Sequence, residues 1–478
     1  MSLWEKYRDD LKFPKLTEDL DVDVLIIGGG ITGLTTLYNL KNYKSIALVE
    51  AREIGTGISM NTTGKVTFLQ GTIYSDLEKN INKETAIKYL KSQRYAINLL
   101  KEIIEKEKIA CDWEKVTSFV YADKKKDIKK LEREEKFLRD NGIKVFSNKE
   151  LKMANISVQN TYVFNPMKYL NCLKRILRNK KIYENTKITK IISKDNGYCC
   201  YFENGKIIAK KVIVTCHYPF FIFPFFLPLK SHIEKSYLIA YRVQKNFKKT
   251  GITVSNPGFS YRFYQDNNNN NIYRIVLASS HVTAFKQNDE KNFKQVQVLF
   301  NIEKDEIAFQ WSNIDIITDD KMPFISSVRK NLYVATGFNT WGMTNGVIAA
   351  KILSDNILNI TNEYNSLFQN KRKNWYQIKN FFANTFISLW GFLASKKVDK
   401  SWYNNNLKFK TIKGKKVAVY KDKGNKKHIV YTTCPHLKCS LVFNELEKTW
   451  DCPCHSSRFS LEGKCIKGPS KYDISYKK

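Results

Sequence analysis

The spacing of apolar positions changes several times along the chain, and each change predicts a different element. Residues 22–27 (VDVLII) form a short apolar run that stops at GGGITG and is followed by LTTLYNLKNY, whose apolar residues recur at helical spacing. Strand, glycine turn and helix are the predicted order. A second run, SIALVE, predicts a strand ending at Glu50. From Thr85 to Glu107, Ile87, Leu90, Ile97, Leu100 and Ile104 fall on one side and Lys or Glu on the other, which predicts an amphipathic scaffold helix. YCCYF and IIAKKVIVT flank Asn204-Gly205, a hairpin signal. The five asparagines at 267–271 lie between SYRFY and IYRIVLAS and predict a hairpin loop. Later, LYVATGFNTWGMTNGVIAAKILSDNIL predicts a strand over 332–335, a loop holding Gly337 and Gly342, and a helix opening near Thr344.

No apolar run reaches the roughly 18 to 20 residues that a membrane-spanning helix needs. The nearest are residues 219–229 (PFFIFPFFLPL), interrupted by three prolines, and residues 381–393, broken by Asn384 and Thr385. Both are expected to be buried or surface-docking segments. The charged start, MSLWEKYRDDLKF, has no apolar stretch of the kind a secretory signal needs, so no transmembrane segment and a cytoplasmic location are expected.

At 478 residues, 43% of them hydrophobic, the chain has material for roughly three folding units at about 150 residues each. The net charge of +34 would ordinarily point to a polyanion, but the basic residues are spread along the chain and accompany an excess of Asn, Ile, Tyr and Phe. Compositional drift accounts for that pattern, and no nucleic-acid partner is expected.

The glycine turn has a specific chemistry. Gly28 allows the tight turn, Gly30 lets the backbone approach a pyrophosphate, and Gly33 lets helix and strand pack closely, while the helix N-terminus supplies free N–H groups. Glu50, 22 residues after Gly28, is placed to accept hydrogen bonds from ribose hydroxyls. A dinucleotide site follows, although the fingerprint does not separate FAD from NAD. The Gly-, Ser- and Thr-rich segment after Glu50 suits a loop along a polar cofactor. The helix near Thr344 can aim its N-terminus at the pyrimidine edge of a flavin.

Ten cysteines are present, and Cys111, Cys172, Cys199, Cys200 and Cys216 lie among apolar neighbours as ordinary buried thiols. Near the C-terminus come Cys434-Pro-His436 and Cys452-Pro-Cys-His455, with fifteen residues between His436 and Cys452. Each patch offers one sulfur and one nitrogen. That set suits a [2Fe-2S] cluster with one iron on Cys434 and Cys452 and the other on His436 and His455. Zinc in a Cys2His2 site is the rival, but zinc sites usually bring two cysteines or two histidines per patch.

These motifs carry two resemblances. Residues 20 to about 360 resemble FAD-dependent oxidoreductases of the D-amino acid oxidase type. The matching pieces are VLIIGGGITGL, Glu50, NTTGKVT, the adenine-side segment ENTKITKI with Ile188, KVIVTCHYPF and ATGFNTWGMTNG. The resemblance implies an α/β FAD-binding Rossmann-like domain with a mixed-sheet substrate domain. FAD-binding parts are expected at about 20–84, 155–219 and 316–360, a helical insertion at about 85–154, and a substrate sheet at about 220–315. Residues from about 411 to 470 resemble Rieske domains, which implies a small all-β domain over 406–478 behind a helical linker at 361–405. By the same resemblance, Cys439 and Cys454 occupy positions that form a disulfide in many Rieske proteins. Two departures stand out: Lys438 and Ser456 replace common glycines, and Phe459 replaces the tyrosine of high-potential members.

Together the resemblances imply FAD and a Rieske cluster in one chain. The expected activity is a dehydrogenase taking hydride from a small amine or amino-acid-like substrate and passing electrons singly through the cluster to an unidentified acceptor. An electron-transfer module reduced by NAD(P)H or a redox protein is the alternative. A Rieske oxygenase is excluded by ligand supply, since His217, His232, His281 and His428 show no close-set pair for a mononuclear iron. Candidate catalytic residues are Lys65, to polarise the flavin or assist an acceptor, Arg262, to clamp a carboxylate, and Trp341, to line the pocket with His281. A solvated lysine and ordinary core packing are the competing readings.

Overall fold

A computed structural model describes residues 1–148, 153–221, 226–255, 258–285, 288–369, 372, 375–396, 407–422 and 424–476. The expected residues 222–225 of the apolar stretch and 397–405 of the linker lie outside the described residues.

The predicted strand and helix at the front are Leu20–Ile27 and Ile31–Asn39. The strand pairs in parallel with Ile46–Val49 on one side and Gly205–Val214 on the other. It therefore sits inside an eight-stranded sheet. The second half of the strand, residues 24–27, is covered on both faces and reads as an unbroken apolar run. Gly197–Phe202 returns antiparallel on Gly205–Val214 and carries Lys190–Lys194 at its far edge, so the Asn204-Gly205 turn closes one corner of a three-stranded ribbon. Leu332–Thr336 completes the parallel part beside Gly205–Val214.

The second sheet has nine strands among the described residues and runs from Ile307–Thr318 through Ser231–Val243, Ile272–Val282, Phe259–Gln265 and Lys249–Thr253 to Glu114–Ala122, Ala154–Val163 and Lys65–Val66, with Phe146–Asn148 pairing off Ala154–Val163. The asparagine run lies in the turn between Phe259–Gln265 and Ile272–Val282, which pair antiparallel. Residues 85–154 are not the helical insertion expected. They hold most of the capped helix Lys83–Lys106 and the helix Lys125–Asp140, but also Glu114–Ala122, a full member of the substrate sheet. That strand buries every second residue, so its period of two was present in EKVTSFVYA beneath the stronger helical signals on either side. Ala154–Val163 likewise belongs to this sheet, not to the FAD-binding parts.

The C-terminal region is all β, with a three-stranded sheet over residues 407–431 and a four-stranded sheet over residues 442–467. Its core gathers Tyr420, Val430, Leu441, Trp450 and Phe459. Between it and the flavin-type fold runs the helix Trp375–Lys396, which packs on Leu227–Lys230 and Ser231–Val243. No helix among the described residues is long and apolar enough to cross a membrane.

Candidate redox site

The glycine turn closes tightly on itself. A Cβ on Gly33 would lie 1.8 Å from the Gly28 carbonyl oxygen, and Gly28 itself has φ +115°, so neither position accepts another residue without movement of the backbone. Glu50 arches over the turn, its carboxylate accepting from the Gly29 and Arg52 N–H groups at 2.7 and 3.0 Å. An elongated cavity of about 1470 Å³, open solvent included, runs past Gly28, Gly30, Glu50, Ile188, Gly337 and Gly342. Six predicted cofactor residues thus share one wall. Arg52, Lys187 and Lys471 bring positive charge to it, with Lys467 beside them pushed down to about 7 by burial, and this lining suits a diphosphate-containing ligand. The glycine cradle and cationic lining fit FAD.

Thr344 lies behind that wall. It is buried in the first turn of Gly342–Leu358 and accepts from Gln70 at 3.3 Å. Gln93 and Tyr89 extend the same polar network to Asn345. These amides support the helix start, and nothing in their spacing signals it.

The cluster region brings the four expected side chains together. Cys434 and Cys452 are buried, and their thiols hydrogen-bond to each other. That bond holds Cys434 down, with help from the His436 and Leu437 amides, and raises Cys452. The rings of His436 and His455 lie 5.1 Å apart. Burial lowers them to about 4 and about 3, leaving both neutral near pH 7. All four of their ring nitrogens are buried with no hydrogen-bond partner among the described residues. Such orphaned polar atoms are costly unless something binds them, and two cysteine sulfurs together with two neutral imidazoles fit a [2Fe-2S] cluster.

Cys439 and Cys454 form a disulfide between the two loops. Their sulfurs and that of Cys452 fall within 4.8 Å of one another, but a sulfur already in a disulfide is no thiolate ligand, so that trio is not a metal site. Lys438 and Ser456, at the positions where glycine is common, adopt φ +61° and +57°. The loops keep the left-handed conformation and bear its cost with a Cβ. Ser457 directs its side chain to Cys434 and accepts from the Ser470 amide at 3.1 Å, while Phe459 is fully buried.

The two sites meet. Ser456, Cys465, Lys467, Gly468, Ser470 and Lys471 of the small domain close one side of the cavity that the glycine turn opens. Tyr218 also lines it, and the Tyr218 ring lies edge-on at 6.3 Å from His436 and 5.8 Å from His455. The Tyr218 hydroxyl is buried and unpartnered among the described residues. This residue was not anticipated; HYPF following a strand carries no local signal for such a contact.

A buried ion network holds the small domain down. Arg458 grips Asp451 through Nε and Nη2 at 2.8 Å each and Glu447 at 2.8 Å, and reaches Ser312 of the nine-stranded sheet at 3.1 Å. Glu447 accepts from the Ser312 hydroxyl at 2.7 Å, and Lys235 of the large sheet bridges Asp451 and Asp289. Glu447, despite its burial, is held at about 2 chiefly by Arg458 and Lys235.

The catalytic candidates divide. Lys65 is buried, donates to Ser260, and sits 5.6 Å from the Trp341 ring centroid; burial and then Arg262 push it down to about 7. Trp341 also borders a second cavity with Gln70, Thr72, Ile252, Val254 and Lys321. Arg262 is not the open carboxylate clamp expected. Its Nε donates to Phe263 O and its Nη1 to Thr63, Gly64 and Phe164 carbonyls at 2.9–3.0 Å, so it ties loop to sheet from a site 1% exposed. His281 is away from that group, stacked on Tyr237 beside the small domain.

A dinucleotide cradle covered by a cluster-type loop pair defines a redox protein with flavin and iron–sulfur centres in one chain. The chain belongs to the FAD dependent oxidoreductase family, matched over residues 23–356, and residues 393–476 match the Rieske [2Fe-2S] domain. It is 29% identical over 98% of its length to YhfW of Bacillus subtilis (strain 168), named for a Rieske 2Fe-2S iron-sulfur protein, and covers 95% of that relative. In fold it is similar to glycine oxidase from Geobacillus kaustophilus, with TM-score 0.60 and 17% identity, covering 74% of this chain and 99% of that one. L-proline dehydrogenase from P. horikoshii gives TM-score 0.60 at 13% identity, covering 77% and 99%. The protein is an FAD-dependent oxidoreductase carrying a Rieske domain.

Proposed function

We propose that this chain is a dehydrogenase that takes hydride from a small amine or amino-acid-like substrate and passes the electrons singly, through its Rieske cluster, to an acceptor. FAD accepts a hydride and can release its electrons one at a time, whereas a [2Fe-2S] cluster carries one. The observation that carries the reading is Tyr218, which lines the FAD-type cavity and touches both cluster histidines. The histidine side of the small domain faces the flavin fold, a placement suited to exchange within the chain.

In this reading Gly28 and Gly30 take the pyrophosphate, with Gly33 packing the helix close against them, Glu50 takes the ribose and Ile188 the adenine side. Gly337, Gly342 and the helix start at Thr344 take the pyrimidine edge. Cys434 and Cys452 hold one iron and His436 and His455 the other. The substrate occupies the cavity bordered by Trp341, whose lining cations are Lys321 and Lys130, the latter also paired with Asp127 at 2.9 Å. Two solved structures of like fold, glycine oxidase and L-proline dehydrogenase, are named for amino-acid oxidation, which favours this substrate class.

The test is anaerobic mixing of purified protein with a panel of amines and amino acids and, separately, NAD(P)H, followed by absorbance and by EPR of the reduced cluster. Flavin bleaching by an amine or amino acid, followed by the cluster signal, is the expected result. Bleaching only by NAD(P)H or a redox protein would replace the dehydrogenase by an electron-transfer module.

A further inference from the structure

An amphipathic helix on a globular protein ordinarily buries its apolar stripe and shows its polar side to water. The helix Trp375–Lys396 does the reverse. Its inward side is anchored by polar and small residues: Asn380 donates to Asp319 O at 2.7 Å, Asn384 bonds His232 Nδ1 at 2.8 Å and the Asp319 carboxylate, and Gly391 lies against Ala284. Outward, Ile378, Phe382, Phe386, Leu389, Trp390 and Leu393 recur at helical spacing. Phe382 is 68% exposed, Phe386 61%, Leu389 58% and Leu393 59%. A continuous apolar stripe of this size on a surface marks an interaction site.

Charge identifies the occupant. Residues 371–400 contain seven basic side chains and one acid, Asp399, within a chain of net charge +34. Arg372 is engaged with Asp320, but the surplus remains. Two copies of this chain, each of net charge +34, would repel one another, whereas an anionic lipid surface complements both the apolar stripe and a segment this basic in sequence. We propose that this helix lies in the plane of an anionic bilayer and docks the protein on it, without crossing it. The inference goes beyond the proposed reaction and holds whatever the substrate.

The placement has a consequence for the redox site. Ile387, on the same helix, borders a small cavity with His232, Tyr218, Cys454 and His455. Docking through the stripe therefore leaves the cluster loops on the inward side of the helix, behind the face that meets the lipid.

The experiment is flotation of the purified full-length protein, flavin and cluster bound, with phosphatidylglycerol–phosphatidylcholine vesicles and with pure phosphatidylcholine vesicles. Binding to the anionic vesicles, weakened by salt, is expected, as is weakening by about tenfold or more in the F382Q/F386Q/L389Q/L393Q variant with cofactor absorbance unchanged. A measurement that needs no multiple variant is quenching by brominated lipid, which should fall when Trp390→Phe replaces the stripe tryptophan. Absence of binding to either vesicle, equal binding by the quadruple variant, equal quenching in Trp390→Phe, or a soluble homodimer dissociated by the quadruple variant would each overturn the proposal.

Discussion

The ring of Tyr218 stands edge-on to His455 at 5.8 Å, and the same side chain lines the cavity built on the glycine turn. A single residue thus touches both halves of the redox site. Replacing Tyr218 by Leu removes the aromatic contact and is expected to slow cluster reduction about tenfold or more, a barrier increase of about 1.4 kcal/mol. Flavin bleaching by substrate should keep its rate, and Tyr218→Phe should restore most of the cluster rate. Stopped-flow absorbance with freeze-quench EPR separates the two steps; equal slowing of both would assign Tyr218 to packing alone.

The Arg458 network predicts how the small domain is held. Arg458→Met leaves the partly buried Asp451 and Glu447 without their main cation, a loss of at most the roughly 3–5 kcal/mol that breaking a fully buried pair costs. The small domain should then become the first part to loosen. Limited proteolysis should release a C-terminal fragment from the variant at protease levels that leave the wild type intact.

Lys65 sets a pH dependence. Its folded pKa of about 7 lies below the ordinary 10.5, because burial opposes the charge. Between those values the unfolded chain binds a proton that the folded chain does not, so stability rises with pH. The contribution is complete above the unfolded value and lost as pH falls through about 7. Thermal unfolding of the flavin-free protein across pH 7 to 10 should show this slope flattened in Lys65→Met.

Gly33→Ala tests the cradle. The added methyl would meet the Gly28 carbonyl at 1.8 Å, forcing helix and turn apart where the pyrophosphate is expected. Gel-filtered variant protein should retain less than about a tenth of the wild-type flavin absorbance, equivalent to at least about 1.4 kcal/mol of lost binding near half-saturation. The cluster absorbance should persist, since the small domain has its own core.

Phe459 predicts the cluster's potential. It is fully buried where high-potential Rieske domains carry tyrosine, so a hydroxyl that would stabilise the reduced cluster is missing, while Ser457 remains beside Cys434. Voltammetry should place the potential below that of the respiratory proteins, with Phe459→Tyr raising it by tens of millivolts and Ser457→Ala lowering it.

Motifs closed within a few residues were legible from the chain alone. The turn at Gly28–Gly33 depends on steric freedom at fixed offsets. The Cys434 and Cys452 patches depend on ligand type and spacing, and the Asn204-Gly205 hairpin on two backbone conformations. Each is set by neighbours in sequence, so the pattern determined the strand–turn–helix start, the two-loop ligand set and the presence of a flavin-type and a cluster-type unit. What the fold alone decided involves residues far apart in sequence. Arg262 is spent on the carbonyls of Thr63, Gly64 and Phe164, and Glu114–Ala122 joins the substrate sheet. Tyr218 meets His436 and His455 across the domain boundary, and the helix Trp375–Lys396 turns its apolar stripe outward. The physical reason is that local conformation is governed by backbone sterics and short-range spacing. The partner of a buried cation, an aromatic ring or an apolar stripe is chosen by how distant segments pack, which no local pattern encodes.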